Sequence, residues 1–289
     1  MAGSFYVKAI DNNAWLWAKV KATTWIDRIG IARKSSRYSE EFADIKTLVF
    51  FIGYPRSGHS IVGSVIDAHP NALMAHRLNA LKYIESGYNE REVYYLMLRN
   101  AQRFARTGRK LTAYKYKVRN HWQGRFDKLH VIGDQEGKWT SVLLANNTEL
   151  LRRLLELSDV TVKFIHVVRN PFDNITTLAW RMGKGLDQTI SWYLSLCRDV
   201  SGVLAQIDPD RVQTIRHETF IQDFEPTFTR LCAFLGLPVT PGYLNDCAGI
   251  VYKKPRKSRY RIVWPTRLIK VATQGIEEFE FLNGYSYDD

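Results

Sequence analysis

The chain has 289 residues, a length that fits one large α/β domain or two small domains. Hydrophobic residues make up 45% and aromatic residues 13% of the sequence, which supplies a core and excludes a disordered or collagen-like chain. The 41 Lys and Arg residues exceed the 29 Asp and Glu residues, for a net charge of +12. This excess favours a polyanionic partner: a nucleic acid, an acidic membrane surface or a phosphorylated small molecule.

The cysteines and the hydropathy pattern point to a compartment. Cys197, Cys232 and Cys247 form no CxxC pair and are too few for a disulfide framework, as is typical of a reducing environment. No run of about 18 uncharged apolar residues is present, and the first residues lack the pattern of a secretory signal. We therefore expect a cytoplasmic protein.

The first 46 residues differ in composition from the rest. Apolar residues lie among lysines and arginines at roughly helical spacing: Trp15, Leu16, Trp17, Val20, Trp25, Ile26, Ile29 and Ile31. One interpretation is a helix on a membrane surface or over an apolar acceptor, and the other is a helix packed on the main domain. We expect residues 1–46 to be a tryptophan-rich helical extension and residues 47–289 to be a single domain.

From residue 47 onward, short apolar runs alternate with helical patterns. The predicted strands are Leu48–Ile52, Leu129–Ile132, Val162–Val168 and Val212–Ile215. The predicted helices cover about 60–68, 148–157, 171–181, 186–207 and 224–235, the last of which ends at Gly236. This alternation predicts an α/β fold, a parallel β-sheet flanked by helices.

The segment between the first strand and the first helix is the most informative. Gly53, Gly58 and Ser60 match the spacing of a P-loop nucleotide-binding template, with His59 in place of its lysine. A loop of this kind directs backbone N–H groups and a helix N-terminus at anionic oxygens. Arg56, inside the loop, supplies the positive charge that the missing lysine would carry.

The strand that ends at Val168 is followed by Arg169. A nucleotide triphosphatase would place a magnesium-binding aspartate at such a position. A cation there favours an anionic donor that is handled without a metal.

Three segments together resemble the sulfotransferases that use 3′-phosphoadenosine 5′-phosphosulfate (PAPS). Tyr54–Ser60 (YPRSGHS) is similar to their 5′-phosphosulfate loop. Val167–Thr177 is similar to their 3′-phosphate motif, in which an arginine is followed eight residues later by a serine, here replaced by threonine. His217–Asp223, followed by Phe234–Pro238, is similar to a third conserved segment of these enzymes, and the resemblance runs from about residue 47 to 240.

The resemblance implies transfer of the sulfuryl group from PAPS to a hydroxyl or amine of a small-molecule acceptor. The reaction would be in line, would need no metal and would leave adenosine 3′,5′-bisphosphate. The residues that would bind the donor are Arg56, Ser57, Gly58, His59, Ser60, Arg169 and Thr177, with Lys257, Ser258 and Arg259 from a C-terminal loop. Arg56 would also act in catalysis by activating the sulfuryl group.

The sequence does not identify the general base. In many relatives a glutamate follows the first helix, but Arg77 stands at that position here. The remaining candidates are histidines and carboxylates near the strand ends: His76, His59, His121, Asp134 and Glu136. We prefer His76 because it adjoins the position of the missing glutamate.

Residues 253–261 (KKPRKSRYR) contain six basic residues in nine. A run of this kind is usually solvated, but it lies where the resembling family closes its nucleotide site. We expect it to be mobile without nucleotide and ordered with it, as a lid.

Two other functions remain open. One is a kinase-like P-loop phosphotransferase, which the missing lysine and missing magnesium ligand disfavour. The other is a basic nucleic-acid-binding protein, for which the sequence shows no helix-turn-helix, zinc or RRM signature. We expect a small-molecule acceptor as partner, no nucleic acid, and a candidate peripheral membrane contact through the N-terminal segment; the acceptor's identity and the oligomeric state stay open.

Overall fold

A five-stranded parallel sheet forms the centre of the computed structural model, which describes residues 28–111 and 114–289. The strands are β1 (Thr47–Gly53), β2 (Ala72–Ala75), β5 (Val131–Asp134), β6 (Thr161–Val168) and β7 (Val212–Arg216). Their order across the sheet is β2-β5-β1-β6-β7, so β1 is central. A separate antiparallel pair, β3 (Lys110–Leu111) and β4 (Tyr114–Lys115), lies outside this sheet.

The central strands are buried on both faces, as their near-continuous apolar sequences require. All seven residues of β1 are buried, and β1 pairs with β6 over its full length, from Thr47 opposite Thr161 to Gly53 opposite Val167. Alternate side chains enter two different core clusters: Phe50 and Ile52 on one face, Val49 and Phe51 on the other. Helices therefore cover both faces of the sheet.

The helices lie between the strands, and several have clear sequence signals at their ends. Their bounds are α1 (residues 28–35), α2 (Ser39–Ala43), α3 (His59–Ile66), α4 (Leu81–Glu85), α5 (Glu90–Arg106), α6 (Lys138–Asn146), α7 (Thr148–Leu155), α8 (Pro171–Met182), α9 (Leu186–Leu204), α10 (His217–Gln222), α11 (Phe224–Leu235), α12 (Pro241–Ala248) and α13 (Thr266–Ile276). Asn89 and Glu92 form a capping box at the start of α5. Gly236 ends α11 in the left-handed conformation.

The predicted fold class is confirmed, and the four predicted strands are present with ends shifted by one or two residues. The largest shift is in the predicted strand Leu129–Ile132, because the structure has this strand at Val131–Asp134, two residues later. The fifth strand, Ala72–Ala75, was not predicted because four residues of small and apolar type carry little periodicity.

Part of the segment before residue 47 packs on the domain. Phe42 and Ile45 are buried in the same core cluster as Phe50 and Ile52 of β1. Ile31 packs against this cluster, whereas Ile29 is exposed. The tryptophans at positions 15, 17 and 25 lie outside the described residues, so the membrane-surface, acceptor-cover and packed-helix interpretations, and the domain boundary at residue 46, stay predictions. Over the part of the chain that is described, no helix is both long and apolar enough to cross a membrane.

Candidate active site

A cavity of about 470 Å³ opens at the carboxyl edge of the parallel sheet. The residues that follow four of the five strands line it: Pro55 and Arg56 after β1, Arg77 after β2, Gln135 and Glu136 after β5, and Arg169 after β6. His217, the first residue after β7, completes the set. Parallel strands deliver their loops to a single edge, and ligands of open α/β sheets bind there.

Residues 54–58, between β1 and α3, are called the phosphate loop here after the family motif that they resemble. Gly53 and Gly58 have positive φ angles of 129° and 111°, and Arg56 itself has φ 72°. A side chain on Gly58 would collide with the His217 ring, so only glycine fits there. Helix α3 begins at His59, and its first N–H groups have no acceptor inside the helix. They therefore form an anion-binding end to the loop.

Some side chains of this segment line the cavity, whereas another stabilises the loop. Arg56, His59 and Ser60 line the cavity with the backbone of Gly58. Ser57 is buried beneath the loop, where its hydroxyl donates to the Tyr54 carbonyl at 2.8 Å. The Ser57 backbone N–H donates to the same carbonyl at 3.4 Å, and Ser57 is not among the described residues that line the cavity, so it stabilises the loop and does not face the cavity as a donor-binding residue would.

Arg169 joins three segments that are distant in sequence. Its guanidinium donates to the carbonyl of Arg56 at 3.3 Å, to the carbonyl of Arg256 at 2.7 Å and to Ser258 Oγ at 3.2 Å. Burial lowers the pKa of Arg169, and nearby Asp173 is the main group opposing that shift. The phosphate loop, the strand β6 motif and the basic run therefore meet at one side chain.

Thr177 lies on α8, eight residues after Arg169, and lines the same cavity. Its hydroxyl donates to the Asp173 carbonyl at 2.8 Å, as a threonine inside a helix often does. The hydroxyl oxygen remains on the cavity side of α8 and can exchange this internal bond for a ligand.

The basic run 253–261 contributes different residues from those expected. Arg256, Ser258 and Arg261 line the cavity. Lys257 is exposed and is not among the described residues that line it. Arg259 is 1% exposed and is turned away, because its backbone N–H and guanidinium bind the Asp173 carboxylate at 2.8 and 2.7 Å. The buried ion pair gives Arg259 a structural position in place of the expected contact with the donor.

Seven cationic side chains line the cavity, against one carboxylate among the described lining residues. The cations are Arg56, Arg77, Lys138, Arg169, Arg181, Arg256 and Arg261, and the carboxylate is Glu136. Partial burial lowers the pKa of Arg56, and nearby Arg181 adds to the shift. The Arg56 Nε atom is buried without a hydrogen-bond partner among the described residues. The cavity is built for a ligand with several negative charges.

Glu136 follows β5 and is 4% exposed, yet it faces this cavity. Its Oε2 accepts from Arg77 Nε at 3.2 Å, and its Oε1 accepts from the Trp139 backbone N–H at 3.3 Å. Arg77 has a positive φ of 53°, which turns the residue after β2 toward Glu136. The cation at the position of the missing glutamate thus holds a different carboxylate in the site.

The histidines considered as bases occupy different places. His76 stacks on Phe104 with ring centroids 3.8 Å apart and contacts Gln135, and it is not among the described lining residues. His121 is also outside this set and binds Asp246 at 2.8 Å. His59 does line the cavity. Burial lowers the pKa of both His59 and His76 to about 4, so both are neutral at pH 7.

Asp134 is the last of the candidate bases and is also placed away from the cavity. It is fully buried and accepts from the backbone N–H groups of Leu78 and Ala80 at 3.1 and 2.8 Å. Burial raises the pKa of this carboxyl to about 7. Asp134 shapes the turn that carries Arg77.

Several lining residues had no sequence signal that assigned them a role. They include Arg77, Lys138, Arg181, His217, Tyr114 and Tyr252. A general signal did exist, since Arg77, Lys138 and His217 lie within four residues of the end of a strand. It could not be used for Arg77 because its strand, β2, was not predicted.

Comparison with known proteins agrees with this architecture. The family model described as "Sulfotransferase family" matches residues 49–241, about two thirds of the chain. The sulfotransferase domain of the Synechococcus PCC 7002 olefin synthase is 16% identical with a TM-score of 0.50, covering 81% of this chain and 94% of that one. No curated protein sequence is a significant match.

Two further solved structures are similar at lower TM-scores. The sulfotransferase domain from the curacin biosynthetic pathway has a TM-score of 0.48 and 15% identity, covering 82% of this chain and 99% of that one. Mouse sulfotransferase SULT7A1, solved in complex with PAP, has a TM-score of 0.39 and 15% identity, covering 79% of this chain and 74% of that one. Because the family model matches about two thirds of the chain, including the phosphate loop, Arg169 and Thr177, this chain belongs to the sulfotransferase family.

Proposed function

We propose that this sulfotransferase takes the sulfuryl group of PAPS and passes it in line to a hydroxyl or amine of a small-molecule acceptor. The observation that carries the proposal is the junction at Arg169. One guanidinium contacts the phosphate loop at Arg56 and the basic run at Arg256 and Ser258. A donor with anionic groups at two ends, a 5′-phosphosulfate and a 3′-phosphate, matches this arrangement.

The two ends of the donor would bind to different parts of the cavity. The 5′-phosphosulfate would lie on the N–H groups at the start of α3, next to Arg56. The 3′-phosphate would bind Arg169, Thr177 and Ser258. Arg256 would take the place that the sequence suggested for Arg259, because Arg256 lines the cavity and Arg259 is paired with Asp173.

Aromatic rings near Arg256 suit the adenine. The Arg256 guanidinium lies 5.1 Å from the ring centroid of Tyr114 and 5.2 Å from that of Tyr252, and both tyrosines line the cavity. Aromatic and guanidinium planes stack well on nucleobases. The adenine would therefore lie beside Arg256, Tyr114 and Tyr252, next to the proposed 3′-phosphate site.

Glu136 is the proposed general base, since it is the carboxylate that faces the cavity. The acceptor oxygen or nitrogen would attack sulfur as its proton passes to Glu136. The bond between sulfur and the bridging oxygen would break, and adenosine 3′,5′-bisphosphate would leave with that oxygen. Arg56 and the loop N–H groups would neutralise the charge that develops on the sulfuryl and bridging oxygens, so no metal is required.

Calorimetry tests the donor assignment. We expect adenosine 3′,5′-bisphosphate to bind at least about tenfold more tightly than 5′-AMP, because a charge-assisted pair contributes about 1.5–3 kcal/mol. Arg169→Ala should remove most of that preference. Arg198→Ala is the matched control, because Arg198 is exposed on α9 and outside the cavity.

Equal affinity of the wild type for the two nucleotides would contradict the proposal. The kinase-like alternative is tested in the same preparation with EDTA. Transfer from PAPS should persist in EDTA, whereas turnover that needs ATP and Mg²⁺ would favour a phosphotransferase.

A further inference from the structure

We propose that the acceptor carries an anionic group, a carboxylate, sulfate or phosphate, which Arg77 and Lys138 bind beside the hydroxyl or amine that reacts. The inference rests on the proposed function, because it assumes that PAPS occupies the phosphate loop. It adds a second anion site to the cavity and limits the class of acceptor.

Sheet topology separates the acceptor side from the nucleotide side. The phosphate loop follows the central strand β1, and Arg169 follows β6, on one side of it. Glu136 and Lys138 follow β5 and Arg77 follows β2, both on the other side. In-line transfer requires the acceptor to approach sulfur from the side opposite the leaving nucleotide. The acceptor therefore enters where Arg77, Glu136 and Lys138 lie.

The charge of the cavity exceeds what the donor can neutralise. PAPS carries about four negative charges near pH 7, roughly two of them on the 3′-phosphate. The described lining residues provide seven cations and one carboxylate. His59 and His217 add nothing, since burial lowers their pKa values to about 4 and about 3. About two positive charges remain when the donor is bound, which favours the binding of a second anion.

Arg77 and Lys138 are the lining cations that follow β2 and β5, on the side from which the acceptor would approach. Arg77 uses Nε for Glu136, and its side chain is 56% exposed, which leaves its terminal nitrogens open to the cavity. Lys138 forms no ion pair within residues 28–111 and 114–289. Its ammonium instead lies 4.0 Å from the Trp139 ring centroid and 5.3 Å from that of Trp192. The Lys138 ammonium thus lies beside two aromatic rings at the cavity, where it can bind an external anion.

Glu136, the proposed general base, lies close to both Arg77 and Lys138, so an anion bound there would lie next to the base. An acceptor whose anionic group binds Arg77 and Lys138 would present a neighbouring hydroxyl or amine to Glu136. A neutral acceptor would leave Lys138 without an ion-pair partner among the described residues and Arg77 with Glu136 alone, which favours an acidic acceptor over a neutral one. The pair thus selects acidic acceptors over neutral ones.

The test uses malonate, a dianion with no acceptor hydroxyl, and its neutral counterpart malonamide. The protein is saturated with PAPS, so that the sulfuryl position is filled, and each probe is titrated at constant ionic strength. Trp139 and Trp192 report binding through their fluorescence, because both rings adjoin Lys138. We expect a saturable change with malonate and none with malonamide. Arg77→Gln and Lys138→Gln should each weaken malonate at least about fivefold.

Lys270→Gln is the matched control, because this exposed lysine on α13 has the same charge and lies outside the cavity. It should bind malonate within about twofold of the wild type. Donor binding is measured first, and its failure would refute the proposed function and, with it, the inference that rests on that function. If the donor binds, absence of saturable malonate binding overturns the inference. Equal weakening by Lys270→Gln, or none by Arg77→Gln and Lys138→Gln, overturns it as well.

Discussion

Glu136 is a buried carboxylate that hydrogen bonds hold in position while it still faces the cavity. Arg77 Nε and the Trp139 N–H fix its two oxygens, at 3.2 and 3.3 Å, while the side chain faces the cavity. His76, one residue before Arg77, is instead stacked on Phe104. Two neighbouring residues after β2 thus have different environments, since His76 packs on Phe104 and Arg77 lines the cavity.

Glu136→Gln therefore separates the two candidate bases. The glutamine keeps an oxygen for the Trp139 N–H but cannot accept a proton, so we expect kcat to fall about 10²- to 10⁴-fold. Affinity for adenosine 3′,5′-bisphosphate should stay within about twofold, since the proposed 3′-phosphate site at Arg169 lies on the other side of β1. The measurement is transfer of labelled sulfuryl from PAPS to the best acceptor of a hydroxyl and amine panel.

His76→Gln is the companion variant and should keep transfer within a few-fold of the wild type. If His76→Gln loses activity as strongly as expected for Glu136→Gln, and Glu136→Gln does not, then His76 is the base. If His121→Ala alone causes the loss, the base lies outside this cavity.

At the scale of elements, the site consists of loops at the ends of five parallel strands. The loops after β1 and β6 were predicted, because Gly53, Gly58 and Arg169 lie at fixed spacing from long apolar strands. The loop after β2 was not, since a four-residue strand has little periodicity and a positive φ at Arg77 has no glycine to signal it. The sequence pattern therefore predicted the loops after β1 and β6 better than the loop after β2.

Within the basic run 253–261, the sequence pattern likewise could not tell which residues line the cavity. Its position near the nucleotide site was predicted, but the choice between Arg256 and Arg259 depends on which residue meets Asp173. Asp173 lies on α8, 86 residues before Arg259. A local sequence pattern cannot predict a contact between two residues that are so far apart in the chain.

Hydrogen exchange can test the lid expected for residues 253–261. Exchange in 253–258 should slow when adenosine 3′,5′-bisphosphate binds, because Arg256 and Ser258 line the cavity. The Arg259 N–H should be protected already, since it donates to Asp173 at 2.8 Å. Unchanged exchange in 253–258 on nucleotide binding would make the run a solvated charge cluster.

Paired substitutions assign the contact within this run. Arg256→Ala should weaken the nucleotide about tenfold or more, through loss of a charge-assisted contact. Lys257→Ala, the adjacent exposed control, should change affinity by less than about twofold. The reverse order would restore Lys257 as the ligand.

For the whole molecule, the position of the acceptor side depends on a buried ion pair. Asp67 and Arg109 are both fully buried, with Arg109 Nη1 and Asp67 Oδ2 2.5 Å apart. Asp67 also accepts from the N–H groups of Met74 at 2.7 Å and Gly124 at 3.0 Å. Burial raises the pKa of Asp67 to about 6, and Arg109 is the main group that opposes this shift. One carboxylate thus connects the end of α3 to β2, the strand that carries Arg77.

Asp67→Asn should destabilise the whole domain, because it leaves the Arg109 charge buried without a partner. We expect a loss of about 3–5 kcal/mol in the free energy of unfolding, measured by urea denaturation. Asp44→Asn is the matched control, because Asp44 pairs with Lys128 at 3.4 Å and both side chains are about half exposed. It should cost about 0–1 kcal/mol. Asp67→Asn with Arg109→Met should recover at least half of the loss, since the unpaired charge is gone. A double variant as unstable as Asp67→Asn would show that the hydrogen bonds to Met74 and Gly124, and not the ion pair, hold β2 in place.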